Sequence, residues 1–231
     1  RPEHAGVSHF LEHLFFKGTT KRTARQLMEA IESKGGHLNA FTSRDYTCLY
    51  AKMLGEHVGT GIEILGDIVR DSQFFDFEKE RNVILEEIAS MEDVPEEHVH
   101  EVLTRNLWPD HPLGTPIAGS KETMTAMTVD DVRSYFQHWY RPENLVVSVA
   151  GCFDEAAVFA QIQEEFSPLP AGAVSQPDGA PTFTPGVQQI ESDISQDHLC
   201  FAFPGPGIHD ERRYVYNMLS NALGGGSTSR L

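Results

Sequence analysis

The sequence has no long hydrophobic segment and only three cysteines. No run of about 18 consecutive apolar residues occurs, so nothing in the sequence predicts a membrane span. Cys48, Cys152 and Cys200 lie far apart and form no Cys-x-x-Cys pair. This spacing is typical of buried free thiols in a reducing compartment rather than of a disulfide framework or a metal-binding cysteine cluster. We therefore assign the cysteines no chemistry.

Basic residues are also scarce in relation to acidic ones. The chain has 18 Lys and Arg against 34 Asp and Glu, which gives a formal net charge of -16. A surface with this balance argues against nucleic acid or an anionic membrane as a partner. It favours basic peptides, with a purely solubilising role of the charge as the alternative. The hydrophobic content of 40% over 231 residues can build one large or two modest soluble domains.

The most informative stretch is HFLEH, from His9 to His13, inside an apolar segment that we predict to be a helix. Residues three and four apart share one face of a helix, so His9 and His13 point together with Glu12 beside them. Neutral imidazoles at this spacing are good zinc ligands, and a nearby carboxylate that is not a ligand can accept a proton from water. This order of residues is the inverted form of the commoner zincin motif.

The motif requires a further ligand, because a catalytic zinc usually has three protein ligands and an open position for water. Taken alone, the motif has an alternative to a metal site: a chance pair of histidines that packs against other residues or faces solvent. A predicted helix over residues 76–91 carries many carboxylates, most of which we expect to be solvated or paired with Lys79 and Arg81.

Periodicity and turn signals predict a mixture of helices and strands. Thr23 followed by Gln26 is typical of a capping box at the start of a second helix. Two strands joined at Ser43 to Asp45 are typical of a hairpin. The predicted helices cover residues 6–16, 24–33, 56–71, 76–91, 96–107, 129–140, 155–166 and 210–223, and the predicted strands cover 37–42, 46–51, 145–150, 187–194 and 198–203.

A proline-rich segment divides the chain. Residues 168–186 contain five prolines among Ala, Gly and Ser, the composition of an extended linker. We predict a first domain at 1–167 and the beginning of a second at 187–231, because about 45 residues rarely complete a domain. The chain begins without Met and ends near an apparent helix start, so we expect both ends to be truncated. The cysteines favour the cytoplasm, and the mitochondrial matrix and periplasm stay open as alternatives.

The sequence contains the stretches GVSHFLEHLFFKGT, GGHLNAFTSRDYTCLY, ERNVILEEIASMED and LGGGSTSRL. Together they resemble the pitrilysin and mitochondrial processing peptidase family of zinc metallopeptidases, and within it the processing-peptidase-like bacterial branch. The resemblance implies an α+β fold with helices packed on a mostly antiparallel sheet, so that 1–167 is a zinc-binding peptidase domain followed by the start of a second, similar one.

The resemblance also implies the remaining site residues on the helix at 76–91. Aligning ERNVILEE with the family pattern places the third zinc ligand at Glu87, with Glu86 as the neighbouring alternative. Glu80 then matches the family's second functional glutamate, about two turns earlier on the same helix face. It would orient a ligand or tune the site. The alternative for Glu80 is an exposed glutamate in a salt bridge.

For substrate, the resemblance implies that Asn39, Ala40 and Phe41 belong to an edge strand to which a peptide adds as an extra strand. The alternative is that Asn39 is a turn residue before a buried strand. We thus expect a metalloendopeptidase with one Zn2+ per chain and Glu12 as general base. The full-length protein would form a homodimer or heterodimer that encloses peptides or unfolded segments in a chamber. A non-catalytic family member and a domain with structural zinc are the alternatives.

Overall fold

The computed structural model of the chain describes residues 2–173 and 179–230. Its helices and strands follow each other in the order helix, helix, hairpin, then helices throughout. The elements are α1 Val7–Phe15, α2 Ala24–Glu32, β1 His37–Thr42, β2 Thr47–Lys52, α3 Val58–Asp71, α4 Phe77–Glu92, α5 Pro95–Leu107, α6 Lys121–Ala126, α7 Val129–Trp139, α8 Glu155–Phe166 and α9 Arg213–Gly224, with short 3-10 helices at Pro2–His4, Gly55–His57, Pro112–Gly114 and Pro142–Asn144.

Helix α1 lies at the centre of the hydrophobic core. It contacts α4, α7 and both strands, because its apolar residues recur at helical spacing and cover one side of the helix. The helix begins after Gly6, whose φ of +90° is left-handed and where a Cβ would lie 2.6 Å from the carbonyl oxygen of Ala118. Only glycine fits there without strain. The buried residues of α1 are Val7, Phe10, Leu11, Leu14 and Phe15.

The predicted capping box at the start of α2 is confirmed. The Thr23 hydroxyl accepts a hydrogen bond from the Gln26 amide, and the Gln26 side chain accepts one from the Thr23 amide. Thr128 and Asp131 form the same arrangement at the start of α7. Each cap satisfies backbone donors that have no partner within the helix, a contribution of about 1 kcal/mol.

The predicted hairpin is also confirmed. Strands β1 and β2 pair antiparallel with Asn39 opposite Tyr50, and the amide of Ser43 donates to the carbonyl of Tyr46 to close the turn. Leu38 and Ala40 are buried, whereas alternate residues of β1 are exposed. The hairpin therefore packs one face against α1 and turns the other to solvent. Helices packed on a small antiparallel sheet make an α+β fold, as predicted.

Three predicted strands are wrong. Residues 145–150, 187–194 and 198–203 belong to no helix and no sheet in the described part of the chain. Alternating apolar residues favour an extended backbone, but a strand also needs a neighbour for its N–H and C=O groups. Here the side chains stay largely in solvent, with Val146 93% and Val187 98% exposed.

Smaller differences concern a helix, a cysteine and the linker. Helix α6 was not predicted from the sequence. Cys152 is exposed and Cys48 and Cys200 are only partly buried, so the prediction of buried thiols is wrong, although all three are free. The described part of 168–186 contains neither helix nor strand, and residues 174–178 lie outside the described residues. The domain boundaries stay a prediction.

Among the described residues, no helix combines the length and apolarity that crossing a membrane requires.

Candidate metal centre

Two histidines of α1 and a glutamate of α4 meet in the structure. Oε2 of Glu87 lies 3.8 Å from Nε2 of His9 and 3.6 Å from Nε2 of His13. The two imidazole rings contact each other edge to face, with centroids 4.8 Å apart. One ligand atom from each of the three residues lies within 4.8 Å of the others. The fold thus brings together the three residues that the sequence predicts as metal ligands.

These three residues fit a zinc ion. Atoms that share a tetrahedral zinc at about 2.0–2.1 Å are roughly 3.3 Å apart. The separations of 3.8 and 3.6 Å between Glu87 and the two histidines therefore need only small side-chain adjustments. Two imidazole nitrogens and one carboxylate oxygen are a donor set of catalytic zinc sites. The Glu87 side chain is 45% exposed, so solvent reaches the cluster from that side.

The environment of His9 favours the form of imidazole that binds metal. Burial lowers the pKa of His9 below 6.5, and the neighbouring His13 lowers it further, against opposing contributions from Glu12 and Glu87. A lowered pKa keeps the ring neutral at neutral pH, which leaves a nitrogen lone pair free for a metal.

Glu80 stands behind His13 and is buried. Its Oε2 lies 3.3 Å from Nδ1 of His13, and its Oε1 lies 2.7 Å from Nζ of Lys17. With Nδ1 turned to Glu80, the other nitrogen of His13 faces Glu87. A carboxylate behind a ligating histidine commonly fixes the ring and its tautomer. The burial of Glu80 excludes the alternative of an exposed salt bridge. Sequence reasoning missed Lys17, because local patterns do not reveal which distant carboxylate a lysine meets.

Glu12 lies outside the cluster of potential ligands and has its own partner. The hydroxyl of Thr42, the last residue of β1, donates a hydrogen bond of 2.5 Å to Oε2 of Glu12. Thr42 is itself 3.3 Å from the hydroxyl of Thr47 across the hairpin. The carboxylate is therefore held by the end of a strand rather than by a metal ligand. No sequence signal indicated this contact.

Glu86, the alternative to Glu87, is exposed and does not belong to the ligand cluster found among the described residues. On a helix, adjacent residues differ by about 100° in direction, so only one of two neighbouring glutamates can face α1. Glu87 is the one that does. Its assignment as a zinc ligand stays a prediction.

Asn39, Ala40 and Phe41 lie in β1, not in a turn. The side chain of Ala40 is buried, whereas Asn39 and Phe41 are exposed. Because hydrogen-bonded pairs alternate in an antiparallel ladder, the backbone groups of Ala40 face away from β2. There the Oδ1 of Asn39 accepts the Ala40 N–H at 2.9 Å. Within the described part of the chain β1 pairs with β2 alone, so this side of β1 is an edge.

Two family models match the chain. Residues 1–121 match the model described as insulinase, peptidase family M16, and residues 126–231 match that of the peptidase M16 inactive domain. The chain belongs to peptidase family M16. The resemblance predicted from the sequence is thereby confirmed at the level of the family. All predicted site residues of this M16 chain lie in the first matched segment.

Curated relatives are named as zinc proteases. The chain is 39% identical to an uncharacterized zinc protease of Bacillus subtilis, covering 100% of this chain and 56% of that protein. It is also 39% identical to an uncharacterized zinc protease of Mycobacterium leprae, covering 98% of this chain and 53% of that protein. The chain thus spans about half the length of the curated relatives it matches.

Solved structures confirm the fold class. An M16-like peptidase of Alicyclobacillus acidocaldarius has a TM-score of 0.64 and 27% identity over 78% of this chain and 40% of its own. A peptidase M16 inactive domain of Pseudomonas fluorescens has a TM-score of 0.80 over 98% of this chain and 56% of its own. Its 14% identity supports the fold alone.

Proposed function

We propose that this M16 chain carries the catalytic zinc centre of a metalloendopeptidase that hydrolyses peptide bonds in peptides or unfolded segments. The observation that supports the proposal is the convergence of His9, His13 and Glu87, with one potential ligand atom of each within 4.8 Å of the others. These residues would hold one Zn2+ per chain. When bound, zinc supplies Lewis-acid activation of water and of the scissile carbonyl.

Glu12 is the proposed general base. It follows His9 by three residues, so it stands on the ligand face of α1 without being one of the ligands. Its carboxylate accepts the proton of the attacking water and passes it to the leaving amine. Glu80 holds His13 in orientation from behind and touches no reacting atom.

The substrate is proposed to bind as an extra strand along the edge of β1. Free N–H and C=O groups on a strand edge bind a peptide backbone with little regard to its sequence. The end of β1 reaches Glu12 through Thr42, so a peptide on this edge would pass the proposed base. Exposed Phe41 contacts Tyr46 and Tyr50 and offers apolar surface beside the edge. The net charge of -16 favours basic peptides.

The complete enzyme is proposed to enclose its substrate between two halves. The chain spans about half of its curated relatives, so the rest of the protein and a second subunit, identical or not, would supply the other wall of the chamber. A structural role for zinc is the weaker reading. Structural zinc sites have four protein ligands, and the cluster among the described residues has three.

The experiment that tests the proposal is metal analysis combined with a peptidase assay on the full-length protein. With an unstructured basic peptide as substrate, we expect one zinc per chain and hydrolysis that a chelator abolishes. Glu12→Gln should retain zinc and lose turnover by about 100-fold or more, a typical cost of removing a general base. Glu32→Gln, at an exposed position at the end of α2, is the matched control and should be active.

Zinc bound without hydrolysis in the wild-type protein would favour a non-catalytic family member. Full activity of Glu12→Gln would contradict the role of Glu12 as base.

A further inference from the structure

We propose that Lys17 is a positioning residue of the metal centre, which acts through Glu80 to hold the zinc ligand His13 in place. The proposal rests on the zinc site of the proposed function but not on hydrolysis. It arises from a continuous line of contacts from Lys17 to Glu80, and from Glu80 to His13.

The two oxygens of the Glu80 carboxylate have different partners. Oε1 meets the Lys17 ammonium at 2.7 Å, and Oε2 meets the His13 ring at 3.3 Å. The Glu80 side chain is only 6% exposed, so water can solvate little of it. A buried carboxylate needs a paired charge or several hydrogen bonds, and Lys17 is the cation in contact with this one.

Lys17 also joins the two helices that carry the ligands. It follows the end of α1, where its amide donates to the carbonyl of Leu14, while Glu80 lies in the first turn of α4. A cation near a helix C-terminus and an anion near an N-terminus are both favourable with respect to the helix dipoles. The ion pair therefore ties the histidine-bearing helix to the helix that carries Glu87 two turns further on.

Loss of Lys17 should free the Glu80 carboxylate to turn towards solvent. His13 would then lose the fixed partner behind its ring, and its Nε2 would no longer be held at 3.6 Å from Glu87. Substitution of partners that stand behind a metal ligand typically weakens metal binding by about 10–100-fold. The same loss is expected here.

The test measures the zinc dissociation constant of the full-length protein by competition with a chelator, without substrate. Lys17→Met, which keeps most of the aliphatic stem, should weaken zinc binding by about 10–100-fold. Lys17→Arg keeps the cation and should stay within about threefold of wild type. Lys21→Met removes the same charge from an exposed position and should change nothing. A Lys17→Met protein with wild-type zinc affinity would overturn the proposal.

A double-mutant cycle with Glu80→Gln tests the route of the effect. If Lys17 acts through Glu80, then Lys17→Met should cause no further loss of zinc affinity in the Glu80→Gln protein. Additive losses would overturn the proposal. If the Lys17→Met protein fails to fold, adding Glu80→Gln should restore folding, because it removes the unpaired buried charge. A double variant that still fails to fold would overturn the proposal.

The outcomes separate this proposal from the proposed function. Zinc binding without hydrolysis in the wild-type protein would contradict the proposed function. The role of Lys17 would then still be decided by the zinc dissociation constants of the variants. A wild-type protein that binds no zinc would remove both.

Discussion

The hydroxyl of Thr42 donates a 2.5 Å hydrogen bond to the carboxylate of Glu12. This contact links the end of the strand that we propose as the substrate edge to the proposed general base. Glu12 has three rotatable side-chain bonds, so a fixed donor restricts the directions in which its carboxylate can point. A base must lie within hydrogen-bond reach of the proton that it removes. In the proposed mechanism the hairpin therefore orients the base as well as binding the peptide.

Thr42→Val should lower kcat with little change in KM. Valine keeps the shape of threonine but removes the hydroxyl, and a hydrogen bond to a charged group is worth about 1.5–3 kcal/mol, or roughly 10–100-fold in rate. Steady-state kinetics of the zinc-loaded protein measures the effect. Thr42→Ser keeps the hydroxyl and should recover most of the rate. Equal kcat values for the valine variant and wild type would show that the contact does not matter in catalysis.

Glu87→Gln should lose most of the zinc affinity, because an amide is a much poorer zinc ligand than a carboxylate. Glu86→Gln, its neighbour on α4, is the matched control, since Glu86 is exposed and outside the cluster. Zinc titration of both variants measures the difference. Loss of zinc in the Glu86 variant with retention in the Glu87 variant would show that the register on α4 is wrong.

Arg22→Met should destabilise the fold by about 3–5 kcal/mol, the usual cost of breaking a buried ion pair. Its guanidinium donates to the fully buried Asp67 at 2.7 Å, and Asp67 also accepts from Thr19 at 3.0 Å. Without Arg22 the carboxylate loses its charged partner in the core. Urea unfolding of the zinc-free protein measures the change.

Arg25→Met is the matched control for Arg22. It breaks an exposed pair with Glu29 on the surface of α2, and such pairs contribute about 0–1 kcal/mol. Similar losses of unfolding free energy in the two variants would contradict the buried role of Arg22.

Methylation of peptide nitrogens should distinguish strand addition from side-chain recognition. A peptide on the edge of β1 donates only alternate N–H groups to the strand. N-methylation at those positions should raise KM by about 10-fold, because it removes one backbone hydrogen bond and adds a steric clash. Methylation of the intervening nitrogens should leave KM unchanged. A KM that depends on side chains but not on these nitrogens would rule out edge binding.

Local features of the fold could be predicted from the sequence, whereas contacts between distant residues could not. The capping box of Thr23 and the apolar face of α1 depend on residues a few positions apart, so both are visible in the sequence. The prediction of a strand at 145–150 was wrong, because a strand needs a neighbouring strand to pair with, and no local pattern reveals one. Within the site, spacing on one helix predicted His9 and His13 as a pair.

The rest of the site needed more than local pattern. Nothing in the spacing alone separates Glu87 from Glu86, and the choice came from the family resemblance. The partners Lys17 and Thr42 were missed altogether. Each of them meets its glutamate across a gap of many residues, 63 between Lys17 and Glu80 and 30 between Thr42 and Glu12, and such meetings depend on how whole elements pack.

Helix α4 carries Glu80 and Glu87 seven residues apart on the side that faces α1. The same helix therefore positions both Glu87, which contacts the two histidines, and Glu80, which contacts His13 from behind. Inserting or deleting a single residue between the two glutamates would turn one of them away by about 100°, whichever of the two stayed in register. The length of this segment is consequently as constrained as the identity of the residues at its ends.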